Sequence, residues 1–267
     1  MCTYFGVSRA AYYSWCGKME HTKQDITRIQ LIQEAYEKSH KTYGYRRIGF
    51  WIQKTKNITI NHKAVLRIMN WLGIRSIARK RRVKRRFIDR NTFQHHYENI
   101  LNREFTATEP NQKWVTDITY VYTDQGTAYL STIKDLFDGF IVAHEVGYDN
   151  SPALVIRTLK KALLTEKIKE GMILHSDQGF QYSALSYHSI IQENLIRPSM
   201  SRRGNCWDNA VIESFYGHLK EESLRHYRKP TFKQLKQIID DYIQFYNYER
   251  IQLKTRQTPY ELRCLSI

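Results

Sequence analysis

Eight consecutive residues, Arg79-Lys80-Arg81-Arg82-Val83-Lys84-Arg85-Arg86, constrain this chain more than any other segment, because seven of them are basic. Like charges at this density repel one another, and none of them can enter a core without a partner. The segment therefore reads as a linker or arm that separates two folding units. The spacing of apolar residues changes across it, from three- and four-residue steps before to alternation after. With 267 residues the chain has room for one sizeable domain and a smaller one. The expected division is a helical region over 1–75, a basic linker over 76–105, a larger core over 106–225 and a helical tail over 226–267.

The whole chain carries a formal net charge of +16. That balance favours an anionic partner, nucleic acid or an anionic membrane surface. No apolar run approaches the ~20 residues that a spanning helix needs. The opening Met1-Cys2-Thr3-Tyr4-Phe5-Gly6-Val7 lacks the basic-then-apolar layout of a secretory signal. A soluble, cytoplasmic protein with no membrane partner is expected. Cys2, Cys16, Cys206 and Cys264 include no C-x-x-C pair, so they read as reduced thiols rather than a zinc or disulfide framework.

Before the basic run, Ser8 is placed to cap a short helix through Trp15, and a second helix begins near Asp25 with Ile26, Ile29, Ile32 and Tyr36 inward. Thr42-Tyr43-Gly44-Tyr45 breaks the pattern. A further helix is expected over 46–55, with Ile48, Trp51 and Ile52 inward. The next runs over 62–72 between the cap Asn61 and the stop Gly73, with Val65, Leu66, Met69 and Leu72 inward. Short helices with tight breaks fit a helix-turn-helix bundle. His62, Lys63 and Arg67 lie on the outward face of its last helix. They read as DNA contacts in a chain this basic, and as a solvated face otherwise. The arm residues Arg79, Lys80, Arg81, Arg82, Lys84, Arg85 and Arg86 suit a phosphate backbone, where cations displace condensed counterions.

After Arg103 the pattern is that of a mixed α/β unit. Strands are expected over 113–123, 127–133 and 140–146, joined by the turns Asp124-Gln125-Gly126 and Asp138-Gly139 into an antiparallel meander. A helix over 151–167 starts at Ser151-Pro152. A buried strand over 172–174, a helix over 183–194 and a strand over 195–200 follow. Helices on the faces of a mixed sheet result. The loop 201–208 reads as polar and flexible, a helix starts at Asn209, and a second amphipathic helix covers 231–248.

Three acids stand out in this frame. Asp117 lies in mid-strand, Asp177 ends an apolar run and precedes Gln178-Gly179, and Glu213 lies in a helix 35 residues further on (213 − 177 − 1). Carboxylates from two strands and a helix in a basic protein suit a pair of divalent ions acting on a phosphodiester. Mg²⁺ takes a few carboxylates and keeps its remaining oxygens from water and phosphate. Lone strand aspartates are often only hydrogen-bonded, however, and Asp124, Asp135 and Asp138 compete for the role. Asp124 and Asp138 have turn-forming reasons to be where they are, which leaves Asp135 as the strongest alternative ligand. His175 reads as a packing or supporting residue, and Trp207 as either a stacking platform for a base or an apolar anchor of its loop.

The words Trp114-Val115-Thr116-Asp117-Ile118-Thr119-Tyr120, His175-Ser176-Asp177-Gln178-Gly179 and Arg203-Gly204-Asn205-Cys206-Trp207-Asp208-Asn209-Ala210, with Glu213-Ser214-Phe215, resemble the core of the DDE transposases of bacterial insertion sequences. The match is to the OrfB-type proteins of the IS-three family, whose core is similar to retroviral integrase. Tyr43-Gly44-Tyr45-Arg46-Arg47-Ile48, Tyr246-Asn247-Tyr248-Glu249-Arg250 and Thr258-Pro259-Tyr260-Glu261-Leu262 extend the resemblance over nearly the whole chain. It implies an RNase H-like fold and a metal-binding triad at Asp117, Asp177 and Glu213, served by two Mg²⁺ ions for which Mn²⁺ substitutes. It further implies DNA contact near the scissile phosphate by Lys220, seven residues after Glu213 on one helix face. Asn209, four residues before Glu213, shares that face and is otherwise an N-cap. The implied activity is cleavage at element ends and strand transfer into target DNA through a circular intermediate, by a homo-oligomer on double-stranded DNA at the bacterial nucleoid. Family proteins are usually fused to an upstream frame with a leucine zipper. No zipper heptads are visible here, so the chain is expected to be the downstream product or one piece of such a fusion.

Two other readings fit part of these observations. A non-catalytic DNA-binding regulator accounts for the charge and the helices and leaves the three acids without a task. A hydrolytic nuclease uses the acids but does not join. An assay that separates cleavage from joining discriminates all three.

Overall fold

The computed structural model describes residue 6 and residues 8–77 and 97–265, in two compact units that divide after Ala78. The basic run lies outside the described residues.

In the first unit, α1 spans Arg9–Lys38, α2 Tyr45–Lys56 and α3 His62–Trp71. Ser8 caps α1 as expected, its Oγ accepting from the Ala11 amide at 3.1 Å. The two helices expected on either side of residue 20 are one continuous helix of 30 residues. The reason is local: the stretch between them contains a single glycine, Gly17, and no proline, and one interior glycine costs a helix only about 1 kcal/mol relative to alanine. Asn61 caps α3 by accepting from the Lys63 amide at 2.9 Å. Its buried stripe is Val65, Ile68 and Met69, not the set containing Leu66, which is exposed. A helix buries i, i+3 and i+4 together, and Leu66 falls one step outside that stripe. Ile32, Ala35, Ile48 and Ile52 complete the small core, and the Tyr36 hydroxyl closes it by donating to the Arg75 carbonyl at 2.8 Å. His62, Lys63 and Arg67 are exposed on α3.

The second unit is built on five strands: β1 Lys113–Thr123, β2 Gly126–Asp135, β3 Ile141–Gly147, β4 Ile173–Ser176 and β5 Arg197–Met200. Their order across the sheet is β3-β2-β1-β4-β5. β1, β2 and β3 form the expected antiparallel meander. β4 pairs with β1, and β5 with β4, in parallel. The helices are α4 Pro152–Thr165, α5 Leu185–Glu193, α6 Ala210–Glu222, α7 Phe232–Tyr248 and α8 Pro259–Cys264. α4 and α5 cover one face, where Trp114, Leu159, Leu174 and Tyr187 form a continuous core. α6 and α7 meet through Phe215, whose ring stands edge-on to Tyr246 at 4.9 Å between centroids.

Two expected boundaries shift. The end of the linker is folded onto the core: Leu101 is buried and its amide donates to Ser199 Oγ at 3.1 Å. The C-terminal helices belong to the body of the second unit, with α7 starting in a capping box between Thr231 and Gln234. A short amphipathic helix cannot persist alone, so α7 buries its apolar face on its neighbours.

Candidate active site

β4 is short, and its register with β1 positions the first two acids. The pairs Lys113↔Ile173, Trp114↔Leu174 and Val115↔His175 share one offset (173 − 113 = 60). Asp117 and Asp177 keep that offset, each two residues beyond the last pair. Neighbouring strands lie about 4.8 Å apart, so the two acids leave the sheet at one level, at the carboxyl end of β4. Such ends, where strand order reverses, are where open sheets place ligands. The Gly179 amide holds Asp177 by donating to its Oδ1 at 2.9 Å.

The third acid comes from α6, which is fastened along β1. Tyr216 donates its hydroxyl to the Asp117 carbonyl at 2.5 Å. Lys220 Nζ donates to Thr119 Oγ1 at 2.6 Å and lies 5.0 Å from the Tyr120 ring centroid. Asn209 Nδ2 reaches the Thr116 carbonyl at 3.4 Å. Residues 209, 213, 216 and 220 follow the spacing of one helix face, so the attachments at 209, 216 and 220 carry Glu213 toward β1. Tyr216 is the residue that sequence reasoning missed; its place in that spacing was the available signal.

Electrostatics tie the acids together. The half-buried Asp117 is pushed up to about 8, first by burial and then by the Asp177 charge, with Glu213 adding and Lys220 opposing. Asp177 moves upward through burial, against the Gly179 amide. Glu213 moves upward through burial and then through Asp177. Asp177 and Glu213 are exposed as residues, so solvent screens them and Asp117 is the firmest sign of strain among like charges. Among the described residues none of the three acids forms an ion pair with a protein cation. No three His, Cys, Asp or Glu side chains among those residues close into a ready-made metal cage.

The remaining expectations divide. Asp135 is elsewhere: it accepts from the Asn111 amide at 2.7 Å and the Phe137 amide at 2.9 Å, and shares Arg263 with Asp138. It is an interior strut that ties α8 to the sheet. Asn209 was expected to face DNA, but it is only 4% exposed and makes no cap bond to α6. Its Oδ1 is buried without a protein partner. His175 is buried between Ser199 Oγ at 2.8 Å and Ser201 Oγ at 3.0 Å, and burial lowers it to about 4, so it is a neutral strut across β4 and β5. Trp207 is 67% exposed, so it is not a buried apolar anchor of its loop. The loop is held instead by its neighbour Asp208, which accepts from Arg202 Nε at 2.9 Å, Arg103 Nε at 2.7 Å and Asn99 Nδ2 at 3.0 Å. The Arg202 hydrogen bond leads the causes that hold Asp208 well below the usual carboxylate range. The flexible loop expected over 201–208 is thus pinned directly before α6.

Comparison with known proteins fits this geometry. Residues 107–206 and 194–251 match models of the integrase core domain, and residues 23–82 match an HTH-like domain. A transposase-like protein of Haemophilus influenzae is 44% identical over 75% of this chain and 91% of its own length. The 31 kDa protein of insertion element IS600 from Shigella sonnei is 38% identical over 94% and 92%. The chain belongs to the insertion-sequence transposase family. A third family member, the putative transposase InsK for element IS150 of Escherichia coli, is 38% identical over 87% of this chain and 81% of its own. In structure, a chain of the simian T-cell lymphotropic virus intasome matches with a TM-score of 0.52 at 14% identity, over 80% of this chain and 74% of that one. The transposase core thus has the RNase H-like, integrase-type fold. Among its described residues no helix is long and apolar enough to cross a membrane.

Proposed function

We propose that this chain cleaves the ends of an insertion sequence and joins them to target DNA, with Asp117, Asp177 and Glu213 as the catalytic acids. The observation that carries the reading is the convergence of three acids, unpaired by protein cations, on β1, β4 and α6. The donor set fits a divalent cation. All ligands are oxygens, the site stays open for water and phosphate, and the buried Asn209 Oδ1 lacks a donor that bound water would supply. Asp117, Asp177 and Glu213 would hold two Mg²⁺ ions, or Mn²⁺, which would lower the pKa of an attacking water and neutralise the phosphate.

The chain's own residues set the geometry. Asp117 is fixed by the sheet and by Tyr216 on its carbonyl, so its carboxylate keeps one position through successive reactions. Asp177 is held by its turn, and Glu213 by the attachments of α6. Lys220 places a positive charge beside Thr119, where a phosphate next to the acids would sit. Cleavage and joining are the same in-line exchange: an incoming oxygen forms a bond to phosphorus as the opposite bond breaks. Water attacks in the first and a DNA 3′ hydroxyl in the second, so one site serves both. The exposed Lys63 and Arg67 of α3 and the cations of 79–86 would hold double-stranded DNA, at element ends and at the target. The active form would be a homo-oligomer on DNA, alone or with an upstream-frame partner, at the bacterial nucleoid.

The decisive experiment incubates the protein with Mg²⁺ and candidate element-end DNA and scores joined products. Asp117→Asn should bind DNA and neither cleave nor join; normal joining would remove the triad assignment. Cleavage without joining by the wild type would favour a nuclease, and binding with neither a regulator. Neutralising four cations in 79–86 should flatten the slope of log affinity against log salt by roughly 3–4 units. An unchanged slope would make the segment a free linker.

A further inference from the structure

The end of the expected linker makes contacts that the reaction as described does not use. Residues 98–104 fold back on the core at two places. At the first, the Met200 amide donates to the Glu98 carbonyl at 3.3 Å. Beside it, Ser199 Oγ accepts from the Leu101 amide and also meets His175 Nδ1, two residues before Asp177 (177 − 175). At the second, Asn99 and Arg103 reach Asp208, five residues before Glu213 (213 − 208). The Arg103 guanidinium also donates to Asn205 Oδ1 at 3.1 Å. The segment therefore touches the supports of two of the three acids.

Asp208 is fully buried, and a buried carboxylate needs partners. Arg202, from its own loop, already supplies two guanidinium bonds of 2.9 Å and an amide bond of 3.0 Å. Closing the loop needs no more. The further donors come from 105 and 109 residues away, and both are oriented. Asn99 Oδ1 accepts from the Asn102 amide at 2.9 Å, which turns Asn99 Nδ2 to Asp208. Arg103 has a φ of +64°, a left-handed conformation that costs any residue with a Cβ. Such strain, kept at an arginine whose side chain ends on a buried carboxylate, points to a task for that side chain. Asp208 lies in a short 3₁₀ turn, Cys206–Asn209, that runs directly into α6. α6 has no side-chain cap of its own. Its first turn, which carries Glu213, is therefore set from the residues that precede it.

We infer that Asn99 and Arg103 are positioning residues for the reaction: acting through Asp208, they hold the start of α6 where Glu213 can share a cation with Asp117 and Asp177. The inference rests on the reading of the three acids as a metal site. A ligand keeps its place only if its own supports are fixed. The end of the linker is thereby part of the active site rather than a passive tether.

The test reads metal binding on the whole protein without DNA. Mn²⁺ is titrated and followed by the loss of the free-ion EPR signal, with urea denaturation as the measure of stability. Glu213→Gln sets the effect of losing the acid itself. Arg103→Ala should weaken Mn²⁺ binding roughly 10-fold, as expected when the support of a metal ligand is lost. Arg103→Lys keeps a charge beside Asp208 but not the fork that also reaches Asn205, and should lose less. Arg103→Gly separates position from stability. Glycine accepts the positive φ, so this variant should be more stable than Arg103→Ala and yet bind Mn²⁺ as weakly. Asp208 keeps Arg202 and Asn99 in all three variants, so the fold persists. The Mn²⁺ concentration that half-saturates joining should rise in step. Mn²⁺ affinity that returns with stability in Arg103→Gly would overturn the proposal. If Glu213→Gln weakens binding and Arg103→Ala does not, the positioning proposal alone falls. If Glu213→Gln binds Mn²⁺ as wild type does, the reading of the acids falls, whatever the Arg103 variants give.

Discussion

The two ends of α6 carry glutamates nine residues apart (222 − 213), and the protein treats them in opposite ways. Glu222 is buried. Arg250 grips it with two hydrogen bonds of 2.7 Å, and the Tyr242 hydroxyl adds a third at 2.8 Å. Burial alone would raise its pKa, but the Arg250 hydrogen bond and charge outweigh that and hold it below the ordinary value. Glu213 sits in the first turn, where the helix dipole favours a carboxylate. Its pKa still moves upward, through burial and the neighbouring Asp177. A carboxylate matched to a guanidinium is satisfied by the fold. Three carboxylates set against one another, with no guanidinium among them, push one another's pKa upward instead. That distinction, more than the number of acids, separates the candidate active site from the interior struts.

The comparison can be broken by exchanging charge for neutral amide at each end. Glu213→Gln should reduce joining to background while its melting temperature stays near or above wild type. Glu222→Gln should do the reverse, retaining joining at low temperature in a weakened fold. A Glu213→Gln protein that joins normally would show the two ends to be equivalent.

The next effect is on stability. Arg250→Ala leaves Glu222 buried without its cation, and breaking a buried pair from one side costs roughly 3–5 kcal/mol. Urea denaturation measures it. A loss under about 1 kcal/mol would mean that the pair is not buried as described.

pH sharpens the contrast, because the two acids are linked to folding with opposite sign. Asp117, raised to about 8 from an ordinary 3.8, binds its proton more tightly in the folded state. Stability is therefore lost as pH rises from about 4 toward 8. Asp117→Asn should be more stable than wild type at pH 8, by roughly a few kcal/mol, and equal to it near pH 4. Glu222, lowered from 4.5, contributes stability above its unfolded pKa that is lost as pH falls through its folded value. The penalty of Glu222→Gln should thus shrink in acid. Mg²⁺ should raise the melting temperature of wild type at pH 8, and much less that of Asp117→Asn. Parallel pH profiles for the two variants would contradict the contrast.

The smallest effect lies between the two glutamates. Lys220→Ala removes the bond to Thr119 and the contact with Tyr120, at a cost in stability of about 0.5–1.5 kcal/mol. Joining and element-end binding should fall further than that loss explains, and a crosslinker at position 220 should reach DNA near the cleavage point. A wild-type joining rate with no crosslink would make Lys220 a packing residue.

Much of the fold was legible because its signals are local. Strand β1 begins and ends where the alternation of Lys113–Thr123 does. Asn61 and Ser8 cap the helices they precede, and the turns at Gly126 and Gly139 both carry the positive φ that glycine tolerates. The continuity of α1 was less legible, because one glycine weakens a helix without ending it. Asp135 shows the limit for the site. In sequence it rivals Asp117, since both are strand aspartates. It is set apart by the amides of Asn111 and Phe137 and by Arg263, 128 residues away.

The sequence by itself pointed to an anionic partner, through its charge. It also determined the alternation of helix and strand, and the three acids, through their flanking words. Tertiary structure decided where those acids lie. The parallel register of β4 on β1 brings Asp177 level with Asp117, and the stripe of α6 turns Glu213 toward both. Arg263, Arg250, Arg225 and Arg202 pair with the buried acids Asp135, Asp138, Glu222, Glu221 and Asp208. Ion pairing depends on distance in space, and no local pattern encodes which of many carboxylates a distant guanidinium will reach. A cavity of about 300 Å³ beside Asp117 and Asp177 has the same origin: Tyr120 and Tyr129 come from two strands and Phe180 and Gln181 from the loop after β4, and only the folded sheet makes them one surface.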